Sequence, residues 1–323
     1  MNKISLDDFL KLPIVNGYRQ CPSDTDYSKI ATFEDPCIFG NSCVFGDYIV
    51  FKSKSIFGDK CVFGTKTTFA DNSMFGDSNS FSMYCHFGDQ CHFGRKNTFG
   101  STCYLGRKTV LNASNDFSDK CMVGAYSKID HNTTFGDQCS IGSYSYIRHN
   151  CQFGNRCEIG HSSIIDFSCS FGSSCNIGSE AHIGATCKFG RFFGLESGSF
   201  VDIGCEFGPD SRFGDNITFR ENNIFGDNCR FEYSNIFGAR CVFGDGCSFN
   251  EFNIFKEYCK FGKNIEIQPG YKHFHLKDDL NRVGFACVYG GYIDEKCQFA
   301  TPIKWTTPDY INVNNHQLKA GGL

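Results

Sequence analysis

The 323-residue chain has little tryptophan and methionine, with one Trp and four Met. It has no run of about 18 apolar residues, so the sequence predicts no transmembrane helix. Lys and Arg (31) nearly balance Asp and Glu (35), and the formal charge of −4 does not favour a general nucleic-acid or membrane-surface binder. Asp7 and Asp8 stand where a signal peptide would need apolar residues. We expect a soluble, cytoplasmic protein that binds neither membranes nor nucleic acids.

The abundant residues form a repeat. The chain holds 36 Phe, 35 Gly and 21 Cys, and stepping by six from Phe33 to Ile267 meets 40 apolar positions, 27 of them Phe. In each hexad the large residue is often followed by Gly, two polar residues, a small residue and a variable one. Because side chains alternate between the faces of a strand, the large residue and the small residue two positions before it should face inward together. We expect the Gly-polar-polar segment to supply the bend.

A longer period lies within the hexads. Sorted by an 18-residue step, the column that begins at Phe45 is Phe at all 13 positions. The other two columns change together from Phe to aliphatic residues between Leu105 and Val201, and then return to Phe. Each coil should therefore contain three hexads and have three faces. Phe193 breaks the rule, because it stands at a small inward position, and we expect a local bulge there.

The cysteines follow the repeat, since 18 of the 21 occupy the small inward position. Zinc needs four ligands that converge on one point, whereas Cys residues on successive coils form a straight row with a spacing of about 4.8 Å. Their placement therefore favours small apolar packing residues over a metal site or a disulfide framework.

Three-sided coils of 18 residues resemble the hexapeptide-repeat, left-handed parallel β-helix superfamily, over about 235 of the 323 residues. The resemblance implies an all-β solenoid of about 13 coils over residues 33–267. Residues 1–32 would form an N-terminal cap, with Ser5 capping a short helix, and 268–323 a C-terminal cap or a partner-binding segment. The chain also resembles the Phe-Gly-x-x-Cys repeat proteins of temperate bacteriophages.

One outward column is largely apolar. The residues that precede the column starting at Phe39 should point to solvent, and contiguous exposed apolar patches usually mark interfaces. We predict a homo-oligomer that associates along this face, and the pattern is compatible with a dimer or a trimer. The alternatives are that the C-terminal segment or a protein partner covers the face. The predicted interface residues are Ile38, Ile56, Met74, Val110, Ile164, Phe200, Ile236 and Ile254.

A titratable cluster lies on the same face, where the Gly after the large residue disappears over the central coils. The stretches 129–132 and 147–150, Ile-Asp-His-Asn and Ile-Arg-His-Asn, should stack one coil apart. We interpret this surface as a binding face. Its predicted members are Asp130, His131, Arg148, Asp166, Tyr146 and His182.

Residues 146–157 resemble the catalytic stretch of the UDP-N-acetylglucosamine acyltransferase family, in which a His followed by Asp or Asn opens a hexad on the central coils. The resemblance implies that His149 is a general base, with Asn150 nearby and acyl-CoA or an acyl-carrier protein as donor. Comparison with the three-His sites of the γ-class carbonic anhydrases predicts no metal, because the spacing of His131, His149 and His182 does not match.

Together, these patterns predict a non-enzymatic, rigid interaction or scaffold protein without a cofactor. It would be encoded by a phage or another mobile element and would bind a host or phage macromolecule through a β-helix face or the C-terminal segment. The alternatives are an acyltransferase that uses His149 and a purely structural polymer.

Overall fold

The computed structural model describes residues 1–268, 286–288, 291–293, 296–301 and 304–305. The chain divides into two compact units, Met1–Ile164 and Ile165–Leu323. Each unit is a parallel β-solenoid with three sheets, and the chain makes about 14 turns of about 18 residues. This confirms the predicted all-β, three-sided solenoid. We label the sheets A, B and C in both units by their position in the 18-residue repeat.

Most strands of the first unit contain two residues, the large inward residue and the outward residue before it. Sheet A contains Asn2–Lys3, Thr25–Asp26, Val44–Phe45, Val62–Phe63, Ser80–Phe81, Thr98–Phe99, Asp116–Phe117, Thr134–Phe135 and Gln152–Phe153. Sheet B contains Ile14–Val15, Tyr18–Cys21, Cys37–Phe39, Ile56–Phe57, Met74–Phe75, His92–Phe93, Val110–Leu111, Lys128–Ile129 and Tyr146–Ile147. Sheet C contains Thr32–Phe33, Val50–Phe51, Thr68–Phe69, His86–Phe87, Tyr104–Leu105, Met122–Val123, Ser140–Ile141 and Glu158–Ile159.

The second unit follows the same scheme, and the strand Ile164–Ile165 lies at the boundary. Sheet A contains Ser170–Phe171, Lys188–Phe189, Glu206–Phe207, Ile224–Phe225, Val242–Phe243, Lys260–Phe261 and Gln298–Phe299. Sheet B contains His182–Ile183, Phe200–Val201, Thr218–Phe219, Ile236–Phe237, Ile254–Phe255, Ala286–Val288 and Gly291–Ile293. Sheet C contains Asn176–Ile177, Gly194–Leu195, Arg212–Phe213, Arg230–Phe231, Ser248–Phe249, Glu266–Ile267 and Lys304–Trp305.

Equivalent residues of neighbouring coils pair directly, 18 positions apart. Phe63, for example, is the register partner of both Phe45 and Phe81. The Phe45 and Phe63 rings stack with their centroids 4.7 Å apart, and Phe63 meets Phe57 of its own coil edge to face at 5.0 Å. Both arrangements are favourable for aromatic rings, so one residue type can satisfy the contacts within a coil and between coils.

Hydrogen bonds from buried polar side chains and thiols also connect neighbouring coils. Asn97 is fully buried, its Oδ1 accepts the backbone N–H of Asn79, and its own backbone N–H donates to Asn115 Oδ1. Cys121 is equally buried, and its thiol donates to the Gly100 carbonyl at 3.2 Å. All cysteines whose side chains the structure describes are free thiols, and all but Cys297 are buried, as expected of packing residues.

The N-terminal helix, Leu6–Leu10, begins after Ser5, whose side chain accepts the backbone N–H of Asp8 as predicted for an N-cap. Buried Arg19 holds the end of the helix, donating to the carbonyl of Leu10 at 2.7 Å and to Asp35 at 2.6 Å. The stacked core begins before residue 33, because the fully buried Tyr27 ring lies parallel to Phe45.

The bend lies in the Gly-polar-polar segment, as expected, but glycine is not its left-handed residue. In the hexad at 57–62 the left-handed residue is Lys60, with φ +58°, and not Gly58. A Cβ on Gly58 would instead lie 2.9 Å from the backbone of Gly40 and Asn41 in the preceding coil. Glycine is required there because two coils approach closely, and the polar residue makes the turn.

The bulge expected at Phe193 is absent, and that prediction is wrong. Gly194–Leu195 pairs in unbroken register with Asn176–Ile177 and with Arg212–Phe213. The Phe193 ring is fully buried and lies 4.2 Å from Phe189. Aliphatic residues fill two of the three columns at this level, so an aromatic ring fits where a small residue is the rule, without a change in the backbone.

Parts of the C-terminal segment extend the sheets of the second unit, since Gln298–Phe299 pairs with Lys260–Phe261 and Lys304–Trp305 with Glu266–Ile267. Most of the segment predicted as a cap or partner-binding module, 268–323, lies outside the described residues. Within the described part of the chain, no helix is long and apolar enough to cross a membrane.

Candidate functional site

The corner that follows sheet B in the first unit holds the predicted titratable cluster. Asp130 and Arg148 occupy the place after the large residue in two consecutive coils, and Arg148 Nη1 donates to Asp130 Oδ1 at 3.1 Å. The same Oδ1 accepts the backbone N–H of His131 and lies 2.9 Å from Nδ1 of its ring. One carboxylate therefore connects its own corner to the next coil.

These contacts decide the ionisation of the carboxyl. Burial by itself would raise the pKa of Asp130, but hydrogen bonds from the backbone and ring of His131 and from Arg148 outweigh it, and the pKa is lowered. The Asp130 side chain is only 22% exposed. It is therefore a partly buried, ionised acceptor at neutral pH.

The second unit contains the same Asp–Arg arrangement without histidine. Arg220 Nη1 donates to Asp202 Oδ1 at 3.1 Å, and the backbone N–H of Ile203 donates to that oxygen at 2.9 Å. Corners in both units therefore have an Asp–Arg ion pair at the position after the large residue, where many other corners have Gly. The pair of histidines distinguishes the corner in the first unit.

His131 and His149 lie one coil apart with parallel rings, whose centroids are 5.1 Å apart. The partner of the Asp130 carboxylate is the ring of His131, although the sequence singled out His149 as a base. Asn150 is exposed with φ +59°, in the left-handed position of its corner, where Asn is tolerated better than most residues. The turn therefore accounts for Asn150 without a catalytic role.

Two tyrosines that sequence reasoning missed lie at the opposite edge of sheet B. Tyr126 and Tyr144 are 55% and 48% exposed, and their rings stack in parallel at 4.9 Å. His161 of the following coil meets Tyr144 edge to face at 4.9 Å. The 18-residue spacing of the two tyrosines could have revealed them.

Between these two edges, Lys128 and Tyr146 are register partners in sheet B. Two consecutive coils therefore present three rows of side chains on one surface. We call this surface the central patch. It comprises Tyr126, Lys128, His131, Tyr144, Tyr146 and His149.

The two exposed tyrosines of the central patch occupy unfavourable backbone positions. Tyr126 has φ +60° and Tyr144 has φ +58°, in the left-handed region that disfavours side chains with a Cβ. A bulky residue there costs about 1 kcal/mol, which Asn or Gly would largely avoid. With roughly half of each side chain in solvent, burial offsets little of that cost.

Two members of the predicted binding face belong to the second unit. Asp166 Oδ1 accepts the backbone N–H of Phe167, whose side chain is 45% exposed. His182 is exposed, and its ring stacks on Phe200 at 4.9 Å. In the first unit, the structure brings together Asp130, His131, Arg148 and Tyr146.

The predicted interface residues all belong to strands of sheet B and point away from the core. Met74 and Ile164 are 43% and 46% exposed. The partly exposed members are Ile38, Ile56, Val110, Phe200, Ile236 and Ile254. Charged or polar residues interrupt the stripe at His92 and Lys128 in the first unit and at His182 and Thr218 in the second. Self-association along it stays a prediction.

Among the described residues, no group of three or more His, Cys, Asp or Glu side chains is placed to hold a metal ion. The stacked histidines contribute two imidazoles and Asp130 a carboxylate that already bonds Arg148. The chemistry available at this corner is therefore proton exchange and hydrogen bonding by imidazole.

No protein-family model matches the chain, and neither the curated proteins nor the solved structures gave a match.

Proposed function

We propose that the protein is a non-enzymatic binding protein that presents the central patch to a protein partner. The observation that carries the proposal is the stacked pair Tyr126 and Tyr144, which lies half-exposed at left-handed backbone positions. A left-handed residue recurs at most corners, so the stack of two half-exposed rings distinguishes this pair. Exposed aromatic surface of this kind usually marks an interface. A bound partner would bury the rings.

The composition of the surface supports a protein as the partner. Tyrosine supplies a large contact area and a hydrogen-bonding hydroxyl, and it is enriched at interface hot spots together with arginine. In the central patch, Tyr126 and Tyr144 flank one edge of the strands while the stacked histidines flank the other. Short strands joined by closely packed corners hold these groups at fixed spacings, so binding requires little ordering of the surface.

The apolar residues of sheet B support a second contact, between copies of this chain. Ile38, Ile56 and Met74 pair in register on consecutive strands of the first unit and form a continuous apolar row. We propose that this row contributes to a homo-oligomer, which leaves the central patch for a different protein. An origin in a phage or another mobile element rests on the Phe-Gly-x-x-Cys resemblance, and binding through the C-terminal segment remains the alternative.

The decisive experiment exchanges both tyrosines for asparagine, which adopts the left-handed conformation more readily. Relief of strain should add about 2 kcal/mol for the Tyr126→Asn, Tyr144→Asn pair, and loss of the ring stack should remove about 1 kcal/mol. We expect the double variant to be about 1 kcal/mol more stable in urea unfolding. The double variant should also fail to capture the partner protein that wild type captures. Quantitative mass spectrometry of cross-linked complexes measures the amount captured.

Tyr84→Asn provides the matched control, because Tyr84 is 51% exposed with φ +61° and lies at the corner between sheets A and C. It should gain a similar stability and retain the captured protein. If the double variant and the control capture that protein equally, the central patch is not the binding site and the proposal fails. Capture of no specific protein by wild type would also overturn it.

A second candidate function is acyl transfer with a histidine base, and the Asp130 contact is the observation that favours it. A carboxylate that accepts a hydrogen bond from one ring nitrogen holds an imidazole in one orientation. In this structure that imidazole is His131, next to the predicted His149. An acyl-CoA or acyl-carrier donor would be needed, and the acyltransferase resemblance is the remaining support.

A further inference from the structure

A surface notch lies on sheet C of the second unit. It arises at Gly194, an outward strand position that carries a side chain in the neighbouring strands. Asn176 and Arg212 are the register partners of Gly194 and flank the gap. Ser179, Ser197, Glu196 and Glu232 complete the polar lining. Any side chain at position 194 would meet the Asn176 amide oxygen, so this gap depends on glycine.

Arg212 lines the notch, and Arg230 lies beside Arg212 on the next strand. Arg212 and Arg230 are direct register partners on adjacent strands, and both are exposed. Within the described part of the chain, neither guanidinium has a hydrogen bond or an ion pair. Like charges directly opposite each other destabilise a sheet. An anionic group placed between them would remove that repulsion and accept the planar pairs of N–H donors that guanidinium groups offer.

The rest of the lining limits the kind of anion. Glu196 Oε2 accepts the Ser179 backbone N–H at 3.2 Å, and no salt bridge joins Glu196 or Glu232 to the arginines. Two carboxylates beside the site would repel a doubly charged phosphate. They would accept hydrogen bonds from hydroxyl groups, while the Asn176 amide and the serine hydroxyls can donate as well as accept.

We propose that this notch binds a hydroxylated carboxylic acid of the sugar-acid class. The ligand carboxylate pairs with Arg212 and Arg230, and its hydroxyl groups bond Glu196 and the Asn176 amide. A shallow, polar site of this kind matches one charged group and several hydroxyls better than an apolar ligand. The site lies in the second unit and does not depend on the function proposed for the central patch.

The test is saturation-transfer NMR and calorimetry with galacturonate and glucuronate, with galactose and inorganic phosphate as comparison ligands. We expect the two acids to bind, and galactose and phosphate to bind about tenfold more weakly or not at all. Arg212→Ala should weaken binding of the acids by about tenfold, and Gly194→Val should abolish it by filling the gap. Arg240→Ala removes an equal charge from an exposed corner of the same unit and should leave binding unchanged.

Glu196→Gln gives a second readout that does not require loss of binding. Removing the carboxylate should weaken binding of the sugar acid, because a hydrogen-bond acceptor for its hydroxyl groups is lost. It should strengthen binding of phosphate, because a repulsive charge is removed. Urea unfolding of every variant identifies those that fail to fold. No saturation transfer to either acid in wild type would overturn the proposal, as would equal effects of Arg212→Ala and Arg240→Ala. Tighter binding of phosphate than of the acids would overturn the assigned ligand class.

Discussion

Gly106→Ala tests why glycine often follows the large residue of a hexad. Glycine could be needed because neighbouring coils pack closely, or because its backbone can bend. Gly106 follows Leu105 and does not have a left-handed backbone. A Cβ added there would lie 2.5 Å from the Gly88 carbonyl carbon and oxygen and from Asp89 Oδ1. Two of these three atoms belong to the backbone, which cannot move without separating the coils.

The expected loss follows from two terms. Forcing a methyl group into a packed site costs about 1–3 kcal/mol. The Asp89 carboxylate would also have to leave the Arg107 backbone N–H, to which it bonds at 2.7 Å, and that adds about 1 kcal/mol. We therefore expect Gly106→Ala to lower the free energy of unfolding by about 2–4 kcal/mol.

Lys108→Gly is the opposing change in the same corner. Lys108 has φ +56° and is exposed, so glycine relieves about 1 kcal/mol of strain. Glycine also adds a similar conformational entropy to the unfolded chain. The two effects nearly cancel, and we expect a change within about 0.5 kcal/mol.

Urea unfolding followed by far-ultraviolet circular dichroism compares both variants with wild type. With a slope of about 2–3 kcal/mol per molar urea, the midpoint of Gly106→Ala should fall by about 1 M, and that of Lys108→Gly should hardly move. The packing argument is refuted if Gly106→Ala is neutral while Lys108→Gly unfolds markedly earlier. That result would indicate that the backbone freedom of glycine makes the turn.

Two further predictions concern ionisable groups. Because the pKa of Asp130 is lowered in the folded state, its ionised form stabilises the protein above the unfolded pKa of about 3.9, and the benefit disappears as pH falls through the lower folded value. Thermal unfolding of Asp130→Asn should thus show a deficit at pH 7 that closes in acid, and a constant deficit would contradict the assignment. Burial raises the pKa of the Cys91 thiol to about 12, so a thiol reagent at pH 8 should modify Cys297 first and Cys91 only after unfolding. Mass spectrometry of the labelled protein measures both rates, and equal native rates would disprove burial of Cys91.

Much of the fold could be predicted because a strict period is a local property of the sequence. Phe63 recurs every 18 residues as Phe45 and Phe81, and the structure stacks these rings one coil apart. Alternation of side chains along each strand then places the small residues inside with them. The pattern placed the bend in the Gly-polar-polar segment, but it could not predict the closeness of the corners or that Lys60 is the left-handed residue.

The candidate site was only partly predictable for the same reason. The sequence placed Asp130, His131 and Arg148 near one another, because their positions follow the repeat. Which histidine the carboxylate contacts depends on side-chain direction, and no spacing contains that information. The importance of Tyr126 and Tyr144 likewise depends on their backbone angles and exposure.

The sequence by itself determined the period, the three faces and the inward residues, because apolar burial acts on every hexad in the same way. Only the tertiary structure decided which residues are strained, which charges have partners and where a missing side chain leaves space. Gly194 shows the difference: in the sequence it is one glycine among 35. In the structure it opens a notch beside Arg212 and Arg230, because coils that are distant in sequence become neighbours in the sheet.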